Sequence, residues 1–381
     1  MRRARSLRLI AGIAVAAITL AACGSDSKAS TSSSAAPAAS SAVASAAPSS
    51  EAMSSEAMSS SAMTSEAASS EAATPTGAPI TVGLAFDTGG RGDGTFNDSA
   101  GRGSDKAKAD LGVKVNELEA SSDDDRVPNI TLLSSQKNDP IIAVGFLFGD
   151  TIKAAAAANP DLTYAIVDSV VDEPNVKSLL FASEQGSFLV GAAAALKSKS
   201  GMIGFIGGQE GALIKQFEAG YVAGAKAVNP DIKIDSKYLG ADGDNAAWNS
   251  PDKAKEIAKS WYAAGTDIIY SAAGGSGAGT VEAAVEAKKW AIGVDSDQYL
   301  TSTPEQQKVI LTSMLKRVDS AVYQTIKAVQ DGDKSGGIQT FDLKVDGVGY
   351  ATSGGYIDDI VPQLEAFKAK IISGEIKVPT Q

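Results

Sequence analysis

Residues 266–297 read TDIIYSAAGGSGAGTVEAAVEAKKWAIGVDSD, and this stretch decides the fold class. Residues 267–272 form a short apolar run typical of a strand that is buried on both faces. Four glycines follow within six residues, and residues 281–289 have the apolar spacing of a helix. A second apolar run then ends at Asp295 and Asp297. The pattern predicts a βαβ unit whose glycine turn and aspartates share the carboxyl edge of a parallel sheet, where such sheets bind ligands.

The same alternation of apolar runs and helical segments continues on both sides of this unit. It predicts an α/β protein with two doubly wound βαβ lobes that close on a ligand about a hinge. Predicted strands include 80–86, 113–118, 141–148, 162–167, 176–181, 201–206, 232–239 and 309–314. A closing hairpin is predicted at 341–345 and 349–351, followed by a last helix over 357–373.

The N-terminus has the pattern of an export signal. Four arginines precede an apolar run, 9–20, that is too short to span a bilayer as a stable helix. This run leads to Leu20-Ala21-Ala22-Cys23, which resembles a bacterial lipobox, and Cys23 is the only cysteine of the chain. We therefore predict a lipoprotein signal peptide over 1–22, lipidation of Cys23, and attachment to the extracytoplasmic face of the cell membrane.

Residues 23–78 are almost entirely small and polar, with few residues that could build a core, and so predict a disordered tether. The whole chain has 45 acidic and 34 basic residues and no histidine. This acidic balance argues against a nucleic-acid polymer as partner. The lack of histidine excludes Ser-His-Asp catalysis and histidine-based zinc or copper sites. We expect no cofactor and no metal.

Several short motifs have competing interpretations. Gly275 and Gly277 are spaced as in a dinucleotide fingerprint, but the third glycine position is Thr280. The triplet 91–93, Arg-Gly-Asp, is of the integrin-binding type but matches often by chance. Phe96 stands at the entry to the first predicted helix of one lobe, and Phe217 stands on the helix that follows the Gly-Gly end of a strand in the other. If both face the cleft, they could sandwich a planar ring. From pattern alone, ordinary core packing of these two rings is the better interpretation.

Long, ordered stretches resemble one known family. They are TFNDSA (95–100), VGFLFGD (144–150), SEQGSFLVGAAAAL (183–196), IGFIGG (203–208), IKQFEAGYVAGAK (214–226), AAGTDIIYSAAGGSGAG (263–279), AIGVDSDQ (291–298) and LTSMLKRVD (311–319). Together they make the region 79–381 similar to basic membrane protein lipoproteins, the PnrA-like nucleoside-binding components of ABC importers. The resemblance implies a type I periplasmic-binding-protein fold. It implies lobe one over 79–182 plus about 313–338, and lobe two over 183–312 plus about 339–381.

The resemblance also implies a ligand site. Matching positions make Phe96 and Phe217 an aromatic clamp on a base, with hydrogen bonds to the base edge from Asn97 and Asp150. A ribose-binding set is implied at Gly274, Asp295 and Lys316. In a closed cleft, the charges of Asp295 and Lys316 would neutralise each other. Asp297 is the alternative to Asp295 as the ligand-facing carboxylate.

The expected function is therefore capture of a nucleoside, with a purine preferred, and delivery to an ABC transporter permease, by a monomeric protein that is not an enzyme. A sugar or a signalling molecule is the alternative ligand. A nucleoside-cleaving enzyme is a less favoured alternative, and an adhesin that uses the triplet 91–93 is a third.

Overall fold

Two six-stranded sheets with helices on their faces make up the computed structural model, which describes residues 79–381. The predicted signal peptide, lipidated Cys23 and tether 23–78 lie outside these residues. The strands are β1 (Thr81–Phe86), β2 (Lys114–Glu119), β3 (Ile141–Val144), β4 (Tyr164–Val167), β5 (Val176–Phe181), β6 (Met202–Gln209), β7 (Lys233–Gly240), β8 (Ile268–Ala272), β9 (Trp290–Asp295), β10 (Ile310–Lys316), β11 (Gly337–Phe341) and β12 (Val348–Tyr350).

Helices flank both sheets. They are α1 (Phe96–Leu111), α2 (Arg126–Ser135), α3 (Gly149–Ala158), α4 (Ser183–Lys197), α5 (Ala212–Val228), α6 (Pro251–Ala264), α7 (Gly277–Ala287), α8 (Gln298–Thr301), α9 (Pro304–Gln307), α10 (Val318–Gln330) and α11 (Val361–Ile372). Over residues 79–381, no helix has both the length and the apolar character needed to cross a bilayer.

The two sheets repeat one topology. The first has the order β2-β1-β3-β4-β5-β11, and the second has the order β7-β6-β8-β9-β10-β12. All pairings are parallel except that of β10 with β12. In each sheet, the strand that comes first in the chain, β1 or β6, has its successor on one side and the third strand on the other. The strand order therefore reverses between β1 and β3 and between β6 and β8. Ligands of doubly wound sheets bind at such switch points, outside the carboxyl ends of the strands. The predicted α/β class with two doubly wound sheets is confirmed.

Burial explains why the apolar runs became inner strands. Every residue of β3, β4 and β8 is buried, as expected for parallel strands covered on both faces. The edge strands β2 and β7 consist of exposed and half-buried residues, apart from the buried Leu239 in β7. Helices approach closely where glycine replaces a side chain. A Cβ on Gly279 would lie 1.9 Å from the Pro251 carbonyl oxygen, so this glycine lets α7 pack on α6.

The predicted closing hairpin is wrong. Residues 343–345 form a 3-10 turn, and β11 is a parallel strand beside β5 in the first sheet. β12 pairs with β10 in the second sheet. The first predicted hairpin strand, 341–345, shares only Phe341 with β11, whereas the second, 349–351, overlaps β12 at Gly349 and Tyr350. The predicted strand 141–148 is also too long. It ends at Val144, because Gly145 adopts a φ of 124° and turns the chain into a 3-10 turn, Phe146–Phe148.

The chain crosses between the sheets three times, after β5, after β10 and after β11. We call the first sheet with α1, α2, α3 and α10 the first lobe, and the second sheet with the other helices the second lobe. The expected crossings near 313 and 338 fall inside strands. The whole of β10 belongs to the second sheet, and the whole of β11 belongs to the first.

Candidate functional site

A cavity of about 320 Å³ lies where the carboxyl ends of the two sheets meet. This is a suitable size for a small organic ligand. Six of the seven predicted ligand residues line it: Phe96, Asn97, Phe217, Gly274, Asp295 and Lys316. They come from both lobes, so folding brings together side chains separated by up to 220 positions. Whether each of them binds a ligand stays a prediction.

Asp150 is not among the residues that line the cavity. It lies exposed in the first turn of α3, although its neighbours Phe146 and Leu147 do line the cavity. The 3-10 turn, Phe146–Phe148, lies between the end of β3 and Asp150, so Asp150 is carried past the cavity wall into α3. The resemblance located the correct strand end but not the side chain that faces the cavity.

Asp295 ends β9 in a strained turn. Its φ is 64°, and the Ser296 N–H donates to the Val294 carbonyl at 2.7 Å, which closes a three-residue turn. Turns of this kind with positive φ are rare and strained, and strained backbone is concentrated at functional sites. The Oδ1 atom of Asp295 is buried and has no hydrogen-bond partner within residues 79–381. Asp297 instead accepts hydrogen bonds from the Tyr299 N–H at 3.2 Å and from the Ser353 hydroxyl at 2.6 Å. Of these two aspartates, Asp295 is the one that faces the cavity.

The sequence predicts that Lys316 neutralises Asp295. Lys316 instead forms its ion pair with Asp168 of the first lobe. Both members of this ion pair are almost completely buried, at 2% and 4% side-chain exposure. Asp168 directly follows β4 and has a φ of 66°, a positive value close to that of Asp295. The ion pair therefore joins the ends of β4 and β10 across the cleft. The carboxyl of Asp295 lies beside the Lys316 ammonium, whose charge Asp168 already neutralises.

This arrangement changes the acidity of Asp295. Burial raises the pKa of its carboxyl to about 7. The Lys316 ammonium opposes that rise, whereas the carboxylates of Asp168 and Asp93 reinforce it. Near neutral pH, Asp295 can therefore act as a donor or as an acceptor toward a hydroxyl group.

Three phenyl rings surround the Lys316 ammonium. Its Nζ lies 4.8 Å from the ring centroid of Phe96, 5.1 Å from that of Phe181 and 5.7 Å from that of Phe217. Phe96 belongs to the first lobe and Phe217 to the second, so two aromatic rings from opposite lobes converge on one cation. The predicted ring pair thus shares the cavity, while Phe217 is also packed into the core with 3% exposure.

The N-terminus of α1 is held by two aspartates. The Asp93 carboxylate accepts from the N–H groups of Thr95, Asn97 and Asp98 at 2.8–3.1 Å. Asp98 accepts from two glycine N–H groups of the preceding loop. Burial raises the pKa of Asp93, and the three backbone hydrogen bonds oppose this rise. The amide oxygen of Asn97 is buried and lacks a partner among the described residues. The backbone of Asn97 is thus fixed at the cavity wall, and its side-chain amide oxygen has an unused acceptor position there.

The triplet 91–93 is occupied within the chain. Arg91 forms ion pairs with Asp105 at 2.9 Å and with Glu117 at 2.8 Å, and Asp93 holds α1 as described. The charged side chains that an adhesin would present are therefore engaged in internal contacts.

Sequence reasoning missed two groups of cavity residues, the strand-end aspartates and an aromatic pair. Asp87 and Asp168 each follow an apolar strand directly, which is the same signal that identified Asp295. The Asp87 carboxylate is fixed by Arg126, whose Nε and Nη2 atoms lie 2.9 and 2.7 Å away. Phe146 and Trp248 meet across the cleft in an edge-to-face contact with ring centroids 6.2 Å apart. No local pattern distinguishes these two aromatic residues from core residues.

The match to a family model covers residues 80–381, and its description is ABC transporter substrate-binding protein PnrA-like. The chain is 37% identical over 322 residues to a CD4+ T-cell-stimulating antigen of Listeria innocua, an alignment that covers 79% of this chain and 88% of that protein. It is 35% identical over 323 residues to the ABC transporter nucleoside-binding protein BmpA of Lactococcus lactis subsp. cremoris, covering 79% and 90%.

A solved structure of ABC transporter solute-binding proteins from Aeropyrum pernix K1 superposes with a TM-score of 0.70. The two chains are 29% identical, and the superposition covers 80% of this chain and 94% of the other. The fold implied by the sequence resemblance, that of type I periplasmic solute-binding proteins, is confirmed.

Proposed function

The chain belongs to the PnrA-like family of ABC transporter substrate-binding proteins, and we propose that it captures a nucleoside, preferably a purine nucleoside, between its lobes and delivers it to an ABC permease. Proteins of this kind bind a solute outside the cytoplasm and are not enzymes. The observation that carries the nucleoside proposal is the pair of rings, Phe96 and Phe217, that shares one cavity with Asp295 and Lys316.

A nucleoside matches this combination of groups. A planar base can stack between aromatic rings, which contribute about 1–3 kcal/mol per base. Two vicinal hydroxyls can donate to the Asp295 carboxyl and accept from the Lys316 ammonium. Gly274 carries no side chain and has a φ of 55°, which permits close approach of the sugar to its backbone. The name of the Lactococcus lactis relative, a nucleoside-binding protein, supports the same ligand class.

At the base edge, Asn97 keeps its proposed role, and Asp150 is replaced by the strand-end residue Asp87. Arg126 holds the Asp87 carboxylate at the cavity wall with two hydrogen bonds. A carboxylate that accepts and an amide that both donates and accepts can together read the N–H and carbonyl groups of a purine.

The test begins with mass spectrometry of small molecules released when the purified full-length protein is unfolded. Calorimetry with nucleosides against monosaccharides then identifies the ligand class, and Phe96→Ala and Asp295→Ala should each weaken nucleoside binding at least about tenfold, or 1.4 kcal/mol. Unchanged affinity in both variants would defeat the site assignment. Tight binding of a monosaccharide alone would favour a sugar transporter, and release of free base would indicate an enzyme.

We also propose that a lipid on Cys23 holds the protein on the extracytoplasmic face of the cell membrane. The small residues before this cysteine and the basic start of the chain support this. Cys23→Ser should release the protein from membranes into the soluble fraction. Incorporation of radiolabelled palmitate into the variant would contradict the proposal.

A further inference from the structure

Ser296 joins the two lobes immediately beside the cavity. Its hydroxyl donates to the Thr95 carbonyl at 2.6 Å and accepts from Arg102 Nη2 at 2.7 Å. Thr95 and Arg102 belong to the first lobe, whereas Ser296 follows β9 of the second. Ser296 is only 3% exposed and thus shielded from water. In such a buried position, water cannot readily replace a lost hydrogen bond.

The same short turn carries the cavity carboxyl and this interlobe contact. The positive φ of Asp295 directs its carboxyl to the cavity and directs the next side chain across to α1. On the other side, Thr95 immediately precedes Phe96 and Asn97, which line the cavity. Each end of the Ser296 contact is therefore covalently continuous with proposed ligand-binding residues, and the contact can form only when the two lobes are close together.

We infer that Ser296, together with Arg102, is a closure latch that sets the lifetime of the bound state. The identity of the ligand in this inference rests on the proposed function, whereas the effect of the contact on lobe closure does not. The ligand of a two-lobed protein leaves through an open state, so a contact that exists only in the closed state slows dissociation and leaves association unchanged. Neither residue lines the cavity, which makes them positioning residues rather than ligand contacts.

Both residues can be changed without leaving a buried polar group unpaired. The Thr95 carbonyl also accepts from the Ser99 N–H at 3.1 Å, so it retains a partner in Ser296→Ala. Arg102 is exposed and can be solvated when its acceptor is removed. Ser135→Ala is a matched control, because the exposed Ser135 hydroxyl donates to the Leu132 carbonyl at 2.8 Å within one lobe.

The test measures association and dissociation of inosine and adenosine by stopped-flow fluorescence with the full-length chain. Ser296→Ala should raise the dissociation rate at least about fivefold, which is the order expected when two hydrogen bonds of modest net contribution are lost, and should change the association rate less than about twofold. Arg102→Ala should act in the same direction, and Arg102→Lys should restore most of the loss. A dissociation rate equal to that of the wild type, or an equal increase in Ser135→Ala, would overturn the inference.

A second measurement does not depend on the ligand. Spin labels at Val127→Cys and Leu300→Cys, two exposed positions on opposite lobes, report the lobe separation in a Cys23→Ser background. Ser296→Ala should enlarge the population with the longer distance in the unliganded protein. If neither nucleoside binds the wild type, the proposed function fails, and the distribution of distances between the spin labels alone tests whether Ser296 holds the lobes closed. Identical distributions for Ser296→Ala and its parent would overturn it.

Discussion

Replacing Asp295 with asparagine should make the protein more stable, by an amount that grows with pH. Folding raises the pKa of this carboxyl from 3.8 to about 7, chiefly through burial. Between these values, the folded protein keeps a proton that the unfolded chain releases. The stability that this protonated group contributes is thus present at low pH and is lost as the pH rises through about 7. Each pKa unit corresponds to about 1.4 kcal/mol.

The magnitude follows from that shift. Between pH 5 and pH 8, the wild type should lose roughly 2–3 kcal/mol of unfolding free energy that the variant keeps, because asparagine does not titrate. Urea unfolding followed by circular dichroism at both pH values measures the difference. Asp297→Asn is the control, since it removes an aspartate that accepts two hydrogen bonds in the same segment and should not stabilise the protein at pH 8. Parallel pH profiles for wild type and Asp295→Asn would refute the argument from burial.

Three further predictions concern the cavity. Phe96→Leu should weaken nucleoside binding about tenfold while changing the unfolding free energy little, because it removes a stacking face from a half-buried position; calorimetry together with urea unfolding checks this. Asp168→Asn should lower the unfolding free energy at pH 5 by about 3 kcal/mol, because it breaks a buried ion pair while Asp295 is protonated and does not replace the lost charge; a urea midpoint unchanged from wild type at that pH would contradict it. Inosine 5′-monophosphate should bind at least about 100-fold more weakly than inosine by calorimetry, because four carboxylates and one ammonium line the cavity. Comparable affinities for the two would show that the carboxylate charges do not reach the ligand.

The sequence predicted the fold class because the signals for it are local. Inner strands are short apolar runs, and glycine or aspartate marks where each one ends. The hairpin prediction failed because strand pairing, unlike strand formation, depends on contacts between distant parts of the chain. β11 and β12 are adjacent in the chain, but a 3-10 turn, Leu343–Val345, separates them, and one pairs with β5 of the first sheet and the other with β10 of the second. Pairing with strands more than 30 residues away in the chain cannot be predicted from a local pattern.

For the candidate site, the carboxyl ends of strands were the informative positions. That rule identified Asp295, and if applied evenly it would have identified Asp87 and Asp168 as well. It could not have excluded Asp150, because the glycine turn after β3 shifts the cavity wall by a few residues, and a φ of 124° is not encoded in any periodicity. Trp248 lies in a segment with little regular pattern and reaches the cavity only through the arrangement of its lobe.

The sequence by itself determined the two-lobed α/β architecture, because apolar periodicity and strand ends are properties of short segments, and its family resemblance supplied six of the residues that line the cavity. The tertiary structure decided the charge pairing. Asp168 follows a strand of the first sheet and Lys316 ends a strand of the second, so only the placement of one lobe against the other brings them together. Among residues 79–381, this pairing leaves Asp295 without an ion-pair partner of its own. Electrostatic interactions depend on distance in space, and no spacing along the chain could have distinguished the two aspartates as partners of the lysine.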